Sequence, residues 1–242
     1  MTMARQSRAP TILLTRPQAQ SRRFAQELRQ VTDLPVLIAP LMEAHVLAPD
    51  LPKASFRAVI LTSETGAAAA GRMAGLPRRA ICVGQRTADA ARAAGFLPEV
   101  AGPDADALVA TLLARPEAGP LLHLRGRDAS GAVAERLTMG GIVTESAVVY
   151  EQIAQPLGPE ARALLAGEAA VLAPLFSPRS ARLLAAGVAE GLRAPLGIAA
   201  LSPAVAEAAR DLPHHWLETA EHPDAAAMCM AVQRLIASAC GP

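Results

Sequence analysis

The sequence has few residues of the types that usually carry cofactor or metal chemistry. Lys53 is the only lysine, and it lies in a loop beside Pro52, a poor setting for the desolvated amine of a Schiff-base enzyme. The three cysteines are widely spaced, which fits neither a disulfide framework nor a zinc site. The five histidines do not share a helix face at ligand spacing. The composition therefore argues against pyridoxal chemistry and against a bound metal.

Aromatic residues are also scarce, and the charge is balanced. One Trp, one Tyr, four Phe and a net charge of +1 offer neither stacking platforms nor a basic surface for nucleic acid. No apolar run approaches the roughly 18 to 20 residues of a membrane-spanning helix, and residues 1–10 lack the apolar core of a signal peptide. We therefore expect a soluble cytoplasmic protein with no nucleic-acid partner and no membrane segment.

What the sequence does contain is a repeated unit, an apolar strand that ends in hydroxyl residues and opens into a helix. Ala58–Gly71 is the clearest example. The loop Thr62–Gly66 is matched by Ser177–Ala181 further along the chain, and two more strand-end loops follow each of them at nearly constant displacement. Strands that alternate with helices at this spacing predict parallel sheets covered by helices. The chain is therefore expected to form two similar α/β lobes.

One unit of the second repeat is displaced to the start of the chain. The segment Leu124–Arg127 and its helix have no counterpart at the C-terminus, whereas Leu14–Pro17 and the helix after it do resemble them. The first lobe is thus predicted to be discontinuous in sequence. The predicted parts are lobe 1, residues 1–34 plus 155–242; lobe 2, residues 48–147; and a two-stranded inter-lobe linker, residues 35–47 and 148–154.

The candidate site consists of the loops in which strands end and helices begin. Free backbone N–H groups, short hydroxyls and arginines there favour a bound polyanion, and we expect the strand ends of both lobes to face one cleft. Any single Ser or Thr in such a loop is better explained as a helix cap, and the binding interpretation depends on the convergence of the loops from two lobes. The predicted substrate-binding residues are Thr15, Arg16, Pro17, Thr62, Ser63, Gly84, Arg86, Thr87, Arg125, Gly126, Arg127, Ser177, Pro178, Arg179, Ser180, Ser202 and Pro203.

Motifs for nucleotide binding and for nucleophilic catalysis are missing. The run Gly126–Gly131 has Walker-like glycine spacing, but Ala132-Val133 occupy the positions of the required Lys-Ser/Thr. The sequence has no G-x-G-x-x-G, no G-x-S-x-G elbow and no cysteine near a histidine. An enzyme with this sequence would have to act by binding, positioning and activating its substrate, because it lacks a strong nucleophile of its own.

Taken together and in order, six motifs resemble the uroporphyrinogen-III synthase family. They are T-R-P at Thr15, L-T-S-x-x-G at Leu61, V-G-x-x-T-A at Val83, V-V-Y at Val148, F-S-P-R-S-A at Phe176 and P-D-A-A-A-M at Pro223. The resemblance implies two α/β lobes joined by a two-stranded ladder in a monomeric, cofactor-free cytoplasmic enzyme. It also implies a lyase of tetrapyrrole biosynthesis that cyclises the linear tetrapyrrole hydroxymethylbilane, with loss of water and inversion of ring D.

Within this resemblance, the family's recurrent tyrosine beside the hinge falls on Tyr150, the only tyrosine in the chain. The resemblance implies that Tyr150 is the catalytic residue that assists the departure of water; a tyrosine that only packs on the hinge is the alternative. The chain departs from the family pattern at Ala204 and Val205, which replace hydroxyl residues, and at Glu64-Thr65. The alternative function is a non-catalytic bilobed binder or sensor of a small polyanion.

Overall fold

A computed structural model describes residues 9–115, 119–129, 131–188 and 191–240. Residues 1–8, which belong to the predicted lobe 1, and Ser130 of the run Gly126–Gly131 lie outside the described residues. Strands and helices alternate along the chain, as the sequence predicts. The strands are β1 (Thr11–Leu14), β2 (Val36–Ile38), β3 (Met42–Val46), β4 (Ala58–Leu61), β5 (Arg79–Val83), β6 (Leu97–Gly102), β7 (Leu121–Gly126), β8 (Thr144–Ala154), β9 (Val171–Leu175), β10 (Leu196–Ala200) and β11 (Trp216–Thr219).

The helices lie between the strands and begin close to the strand ends. They are α1 (Gln18–Leu28), α2 (Glu64–Ala70), α3 (Gly84–Ala93), α4 (Ala105–Leu113), α5 (Val133–Met139), α6 (Pro159–Leu165), α7 (Pro178–Val188), α8 (Pro203–Ala208) and α9 (Ala225–Cys240). None of these helices, within the described ranges, is long and apolar enough to cross a membrane.

The chain divides into two compact units. The first unit comprises the described residues up to Glu43 and from Ala154 onward, and the second comprises Ala44–Ile153. In the first unit the strand order is β11-β10-β9-β1-β2, and in the second it is β3-β8-β7-β4-β5-β6. Strands β9, β10, β11, β1 and β2 thus take the places of β4, β5, β6, β7 and β8. The N-terminal β1-α1-β2 segment completes the first unit, so the discontinuous lobe predicted from the displaced repeat is confirmed.

The structure corrects the prediction that residues 35–47 are all linker. Val36–Ile38 form β2, which pairs in parallel with β1 in the register Ile12↔Val36. The N–H of Ile12 also donates to the Pro35 carbonyl at 2.9 Å. Pro35 and Pro40 lie on either side of this edge strand and leave its ladder N–H groups intact. The chain instead passes between the units within β3 and at the end of β8, two strands that are neighbours in the sheet.

Two edge strands were missed by the sequence analysis. β6 and β11 each pair on one side only, with β5 and β10 respectively. Leu97 is 63% exposed, and Pro98 follows it. A half-solvated strand that contains proline carries neither the apolar run of a central strand nor a regular alternation, so its sequence does not distinguish it from a loop.

The central strands are buried on both faces, which explains their continuous apolar sequences. Every residue of β4 and of β9 is buried, as expected for parallel strands covered by helices on both sides. Cys82 and Cys229 are free thiols within this interior. Burial raises the pKa of Cys82 to about 11, so this thiol stays protonated and unreactive at neutral pH.

Candidate functional site

The helix cap that follows β4 fixes the first residue of the candidate site. Ser63 has an extended backbone (φ −154°, ψ 151°), and α2 begins at the next residue. The Ser63 Oγ accepts the Gly66 N–H at 2.9 Å. This bond satisfies one of the free donors at the helix start. The capping interpretation of Ser63 is therefore correct as far as the backbone is concerned.

The same Ser63 hydroxyl also contacts the only tyrosine of the chain. Ser63 Oγ and Tyr150 Oη are 3.0 Å apart, and Tyr150 is partly buried. Tyr150 lies on β8, which is separated from β4 by β7. A serine that caps one strand-end helix is thus joined by a hydrogen bond to a phenol two strands away.

Gly126 at the end of β7 makes this contact possible. It pairs with Tyr150 just after a register shift between Arg125 and Gly126. A Cβ atom at Gly126 would lie 2.6 Å from Tyr150 Cζ and 2.8 Å from its hydroxyl oxygen, distances that atoms in van der Waals contact do not reach. The Tyr150 ring therefore lies directly against the bare backbone of Gly126, and a larger residue would displace it.

Tyr150 lines a cavity of about 210 Å³ together with Gly126, Arg127, Asp128, Ala129 and Gln152. The Arg127 N–H donates to the Tyr150 carbonyl at 2.9 Å, which fixes the loop against β8. The Arg127 guanidinium is paired with Glu151 at 2.7 Å and is solvent-exposed. The Tyr150 phenol therefore borders a cavity that is also lined by Arg127.

A second cluster lies on the opposite face of β7, where His123 and Arg125 share one side of the strand. Thr62 Oγ1 and His123 Nε2 are 3.4 Å apart. His123 is 2% exposed, and burial, followed by the charge of Arg125, lowers its pKa to about 4. The imidazole is thus neutral near pH 7. With Arg125 and Glu135, it lines a separate cavity of about 210 Å³.

His123 is the residue of this cluster that the sequence analysis missed, because it was considered only as a metal ligand. Two signals in the sequence point to it. It precedes Arg125 by two positions in a strand, and parallel pairing of β7 with β4 brings it near Thr62. Arg125 itself is half-buried and donates to the carbonyls of Gly126 (3.3 Å) and Arg127 (3.4 Å).

In the first unit, the equivalent loops hold their hydroxyls differently. Ser177 precedes α7, its Oγ accepts the Ser180 N–H at 3.1 Å, and the two serine hydroxyls are hydrogen-bonded to each other. The Arg16 guanidinium lies 4.0 Å from the centroid of the Phe176 ring, within the range of a cation–π contact. The side chain of Ser202 makes no capping bond to α8, although Pro203 is the first residue of that helix.

Three of the predicted binding hydroxyls are buried in this structure. Thr15 is 0% exposed, Ser180 is 2% exposed and Thr87 is 5% exposed. Thr87 is buried because α3 already begins at Gly84, so the threonine lies in the first turn on the core side. Thr15 Oγ1 is buried without a hydrogen-bond partner among the described residues.

Of the other predicted binding residues, Gly126 is buried beneath the Tyr150 ring, and the rest are at least partly accessible at the strand ends. Gly84 has a positive φ of 66°, which favours glycine at this turn. The half-buried residues of this group are Arg16, Pro17, Thr62, Ser63, Gly84, Arg125, Ser177, Pro178, Arg179 and Ser202, and the exposed ones are Arg86, Arg127 and Pro203.

Comparison with known proteins now decides the family. The family model described as uroporphyrinogen-III synthase HemD matches residues 21–229. The chain belongs to the uroporphyrinogen-III synthase HemD family. The comparison with curated protein sequences returned no match.

Solved structures of uroporphyrinogen-III synthases have the same fold. The enzyme from Helicobacter pylori is similar over 93% of this chain and 99% of its own, with 16% identity and a TM-score of 0.64. A mutant of the enzyme from Thermus thermophilus is similar over 95% of this chain and 100% of its own, with 15% identity and a TM-score of 0.50. At this identity the similarity concerns the fold.

In this member of the uroporphyrinogen-III synthase HemD family, the described residues that line the Tyr150 cavity include a phenol and no cysteine. The buried Cys82 is protonated at neutral pH, and His123 is neutral and contacts a threonine. The Tyr150 phenol, by contrast, borders an accessible cavity. Such an arrangement suits a reaction in which the substrate is held in place and one of its oxygens leaves with a proton.

Proposed function

We propose that this protein is a uroporphyrinogen-III synthase that acts as a monomer in the cytoplasm. It cyclises hydroxymethylbilane to uroporphyrinogen III, with inversion of ring D and loss of water, and is therefore a lyase. One observation supports this proposal most strongly. In a chain of this family, the only tyrosine lies against Gly126 at the wall of a cavity, and its hydroxyl is bonded to Ser63.

In the proposed reaction, Tyr150 donates its proton to the ring A hydroxyl, and the C–O bond breaks to release water. The electron pair of the ring A pyrrole nitrogen stabilises the carbon that carried the hydroxyl group, which gives a cationic azafulvene. Ring D attacks this carbon, and the resulting spiro intermediate rearranges and closes the macrocycle. The final proton lost from the ring returns to the Tyr150 phenolate, so that the enzyme is regenerated and water is the only other product.

The charge of the substrate matches the cations at the strand ends. Hydroxymethylbilane is a polycarboxylate, and guanidinium groups bind carboxylates through paired, charge-assisted hydrogen bonds. Arg127 borders the same cavity as Tyr150, and its ion pair with Glu151 is solvent-exposed. Exposed pairs of this kind contribute at most about 1 kcal/mol, so a substrate carboxylate can replace Glu151 at little cost. We assign Arg127, with Arg16, Arg86, Arg125 and Arg179, to substrate binding.

The proposal is tested with purified protein and freshly generated hydroxymethylbilane. We expect isomer III to form in preference to isomer I, which arises spontaneously. Tyr150→Phe keeps the ring against Gly126 and removes only the hydroxyl, so kcat for isomer III should fall by roughly 10²-fold or more if the phenol is the general acid.

The two possible failures have different meanings. If the wild-type protein gives isomer I alone, the proposed activity is wrong. If the wild type gives isomer III and Tyr150→Phe is equally fast, the activity stands but Tyr150 has only a packing role. No contact among the described residues, and none of the comparisons, specifically favours the non-catalytic polyanion binder.

A further inference from the structure

The Ser63 hydroxyl is fixed by the backbone and directed at the phenol. Its oxygen accepts the Gly66 N–H at 2.9 Å and lies 3.0 Å from Tyr150 Oη. A serine hydroxyl has one proton and two lone pairs. Since the helix N–H occupies a lone pair, the hydroxyl proton remains available for Tyr150.

Gly66 leaves room for both partners of this bond. A Cβ atom at Gly66 would lie 3.0 Å from Ser63 Oγ and 3.7 Å from Tyr150 Cε1. The spacing of the motif L-T-S-x-x-G therefore has a physical reason. The serine caps the helix, and the glycine three residues later donates to it without crowding the phenol.

We propose that Ser63 is a positioning residue that acts through Tyr150: its hydroxyl donates to the phenolate oxygen that forms when Tyr150 gives up its proton. This inference rests on the proposed function. Either oxygen is able to donate while Tyr150 is protonated, but a phenolate only accepts. The donor bond from Ser63 is therefore strongest when the proton has left, and an interaction that strengthens in this way lowers the barrier of the proton-transfer step.

Among the described residues, Ser63 is the one hydrogen-bond partner of the Tyr150 hydroxyl. Its removal leaves the developing negative charge next to Gly126 without a protein donor. A hydrogen bond to a charged group accounts for roughly a 10- to 100-fold change in rate. Ser63→Ala should therefore lower kcat by this factor with little change in KM, because the interaction arises after the substrate has bound.

Ser63→Ala also removes a helix cap, so the design needs a matched control for stability. Asp104 caps α4 in the same unit by accepting the Ala107 N–H at 2.8 Å, and it is not part of the proposed site. Asp104→Ala should lose a similar share of stability and retain the wild-type kcat. Ser63→Thr keeps a hydroxyl that caps and donates, so it should restore most of the kcat lost in Ser63→Ala.

The decisive experiment is a double-mutant cycle. If Ser63 acts through the phenol, Ser63→Ala should change kcat by less than about 2-fold in a Tyr150→Phe background, because the hydroxyl it supports is already absent. Equal effects of Ser63→Ala in both backgrounds would overturn the proposal, and so would a Ser63→Ala variant with wild-type kcat.

The single tyrosine allows a test that does not depend on activity. Protein grown with tyrosine labelled with ¹³C at Cζ gives one signal, which belongs to Tyr150. We expect this signal to shift in Ser63→Ala, to stay close to its wild-type position in Ser63→Thr and to be unchanged in Asp104→Ala. An unshifted signal in Ser63→Ala would show that the hydrogen bond is absent in solution, even if the proposed synthase activity were established.

Discussion

The loops after β4 and β9 are copies of one structural unit, but their serine hydroxyls have different second hydrogen-bond partners. Ser63 and Ser177 both precede a helix, and both accept a backbone N–H from its first turn. Ser177 then bonds to Ser180 of its own helix, whereas Ser63 bonds to Tyr150 on another strand. Both copies of the repeat thus keep the cap, and they differ in the second hydrogen-bond partner of the serine hydroxyl.

The ends of β7 and β1 differ in the same way. At β7, Gly126 has no side chain, and the Tyr150 ring fills the space. At the equivalent position after β1, the chain has Arg16, whose guanidinium packs on Phe176. One unit therefore presents a phenol and the other a positioned cation.

The largest effect is expected from replacing Gly126, whose equivalent position in the first unit is not a glycine. Gly126→Ala places a methyl group within 3 Å of the Tyr150 ring, so the ring must move away from Ser63 and the cavity. We expect kcat for isomer III to fall by roughly 10²-fold, as in Tyr150→Phe, and stability to fall by about 1–3 kcal/mol from overpacking.

The measurement is isomer III formation together with denaturant unfolding. Gly158→Ala is the matched control, since a Cβ atom there meets nothing within 4 Å and φ is −65°; it should retain the wild-type kcat. A Gly126→Ala protein with kcat within about twofold of wild type would show that the ring position is unimportant.

The second prediction concerns the substitution His123→Leu. Leucine is the residue at the equivalent position of the first unit, Leu13. The pKa of His123 is about 4 in the folded protein, against an ordinary value of 6.5. The unfolded chain therefore binds a proton that the folded chain excludes, so stability is full above pH 6.5 and falls as the pH drops to 4. The expected loss is about 3 kcal/mol.

The His123→Leu protein should not lose this stability when the pH drops from 6.5 to 4. The test compares the free energies of unfolding of the two proteins between about pH 4 and pH 7. Carboxylates with lowered pKa values, such as Glu99 beside Arg79 and Arg115, become protonated in acid, and this destabilises both proteins equally. The difference between the two free energies of unfolding therefore reports on the imidazole of His123 with its neighbours Arg125 and Glu135. Parallel curves would mean that His123 is protonated as readily in the folded protein as in the unfolded chain.

The sequence predicted the features that depend on local pattern. Strand-helix alternation, the displaced first unit and the hydroxyls at the strand ends all follow from periodicity and from the repeat. The contact between Ser63 and Tyr150 does not, because it joins residues 87 positions apart through a register shift that no local pattern encodes. For the same reason, the sequence did not separate accessible hydroxyls from the buried Thr15, Thr87 and Ser180, whose exposure depends on where each helix begins.

The smallest effect concerns a buried hydroxyl that only the first unit has, at the position where the second unit has Arg125. Thr15 Oγ1 is fully buried and has no partner among the described residues, which costs stability because water no longer bonds to it. Thr15→Val removes the hydroxyl and keeps the shape, so the free energy of unfolding should rise by roughly 1 kcal/mol. Thr144→Val is the opposite case, since the buried Thr144 hydroxyl donates to the Ile142 carbonyl at 2.9 Å, and this variant should lose stability by about the same amount. If Thr15→Val also proves destabilising, the Thr15 hydroxyl has a hydrogen-bond partner in the folded protein in solution.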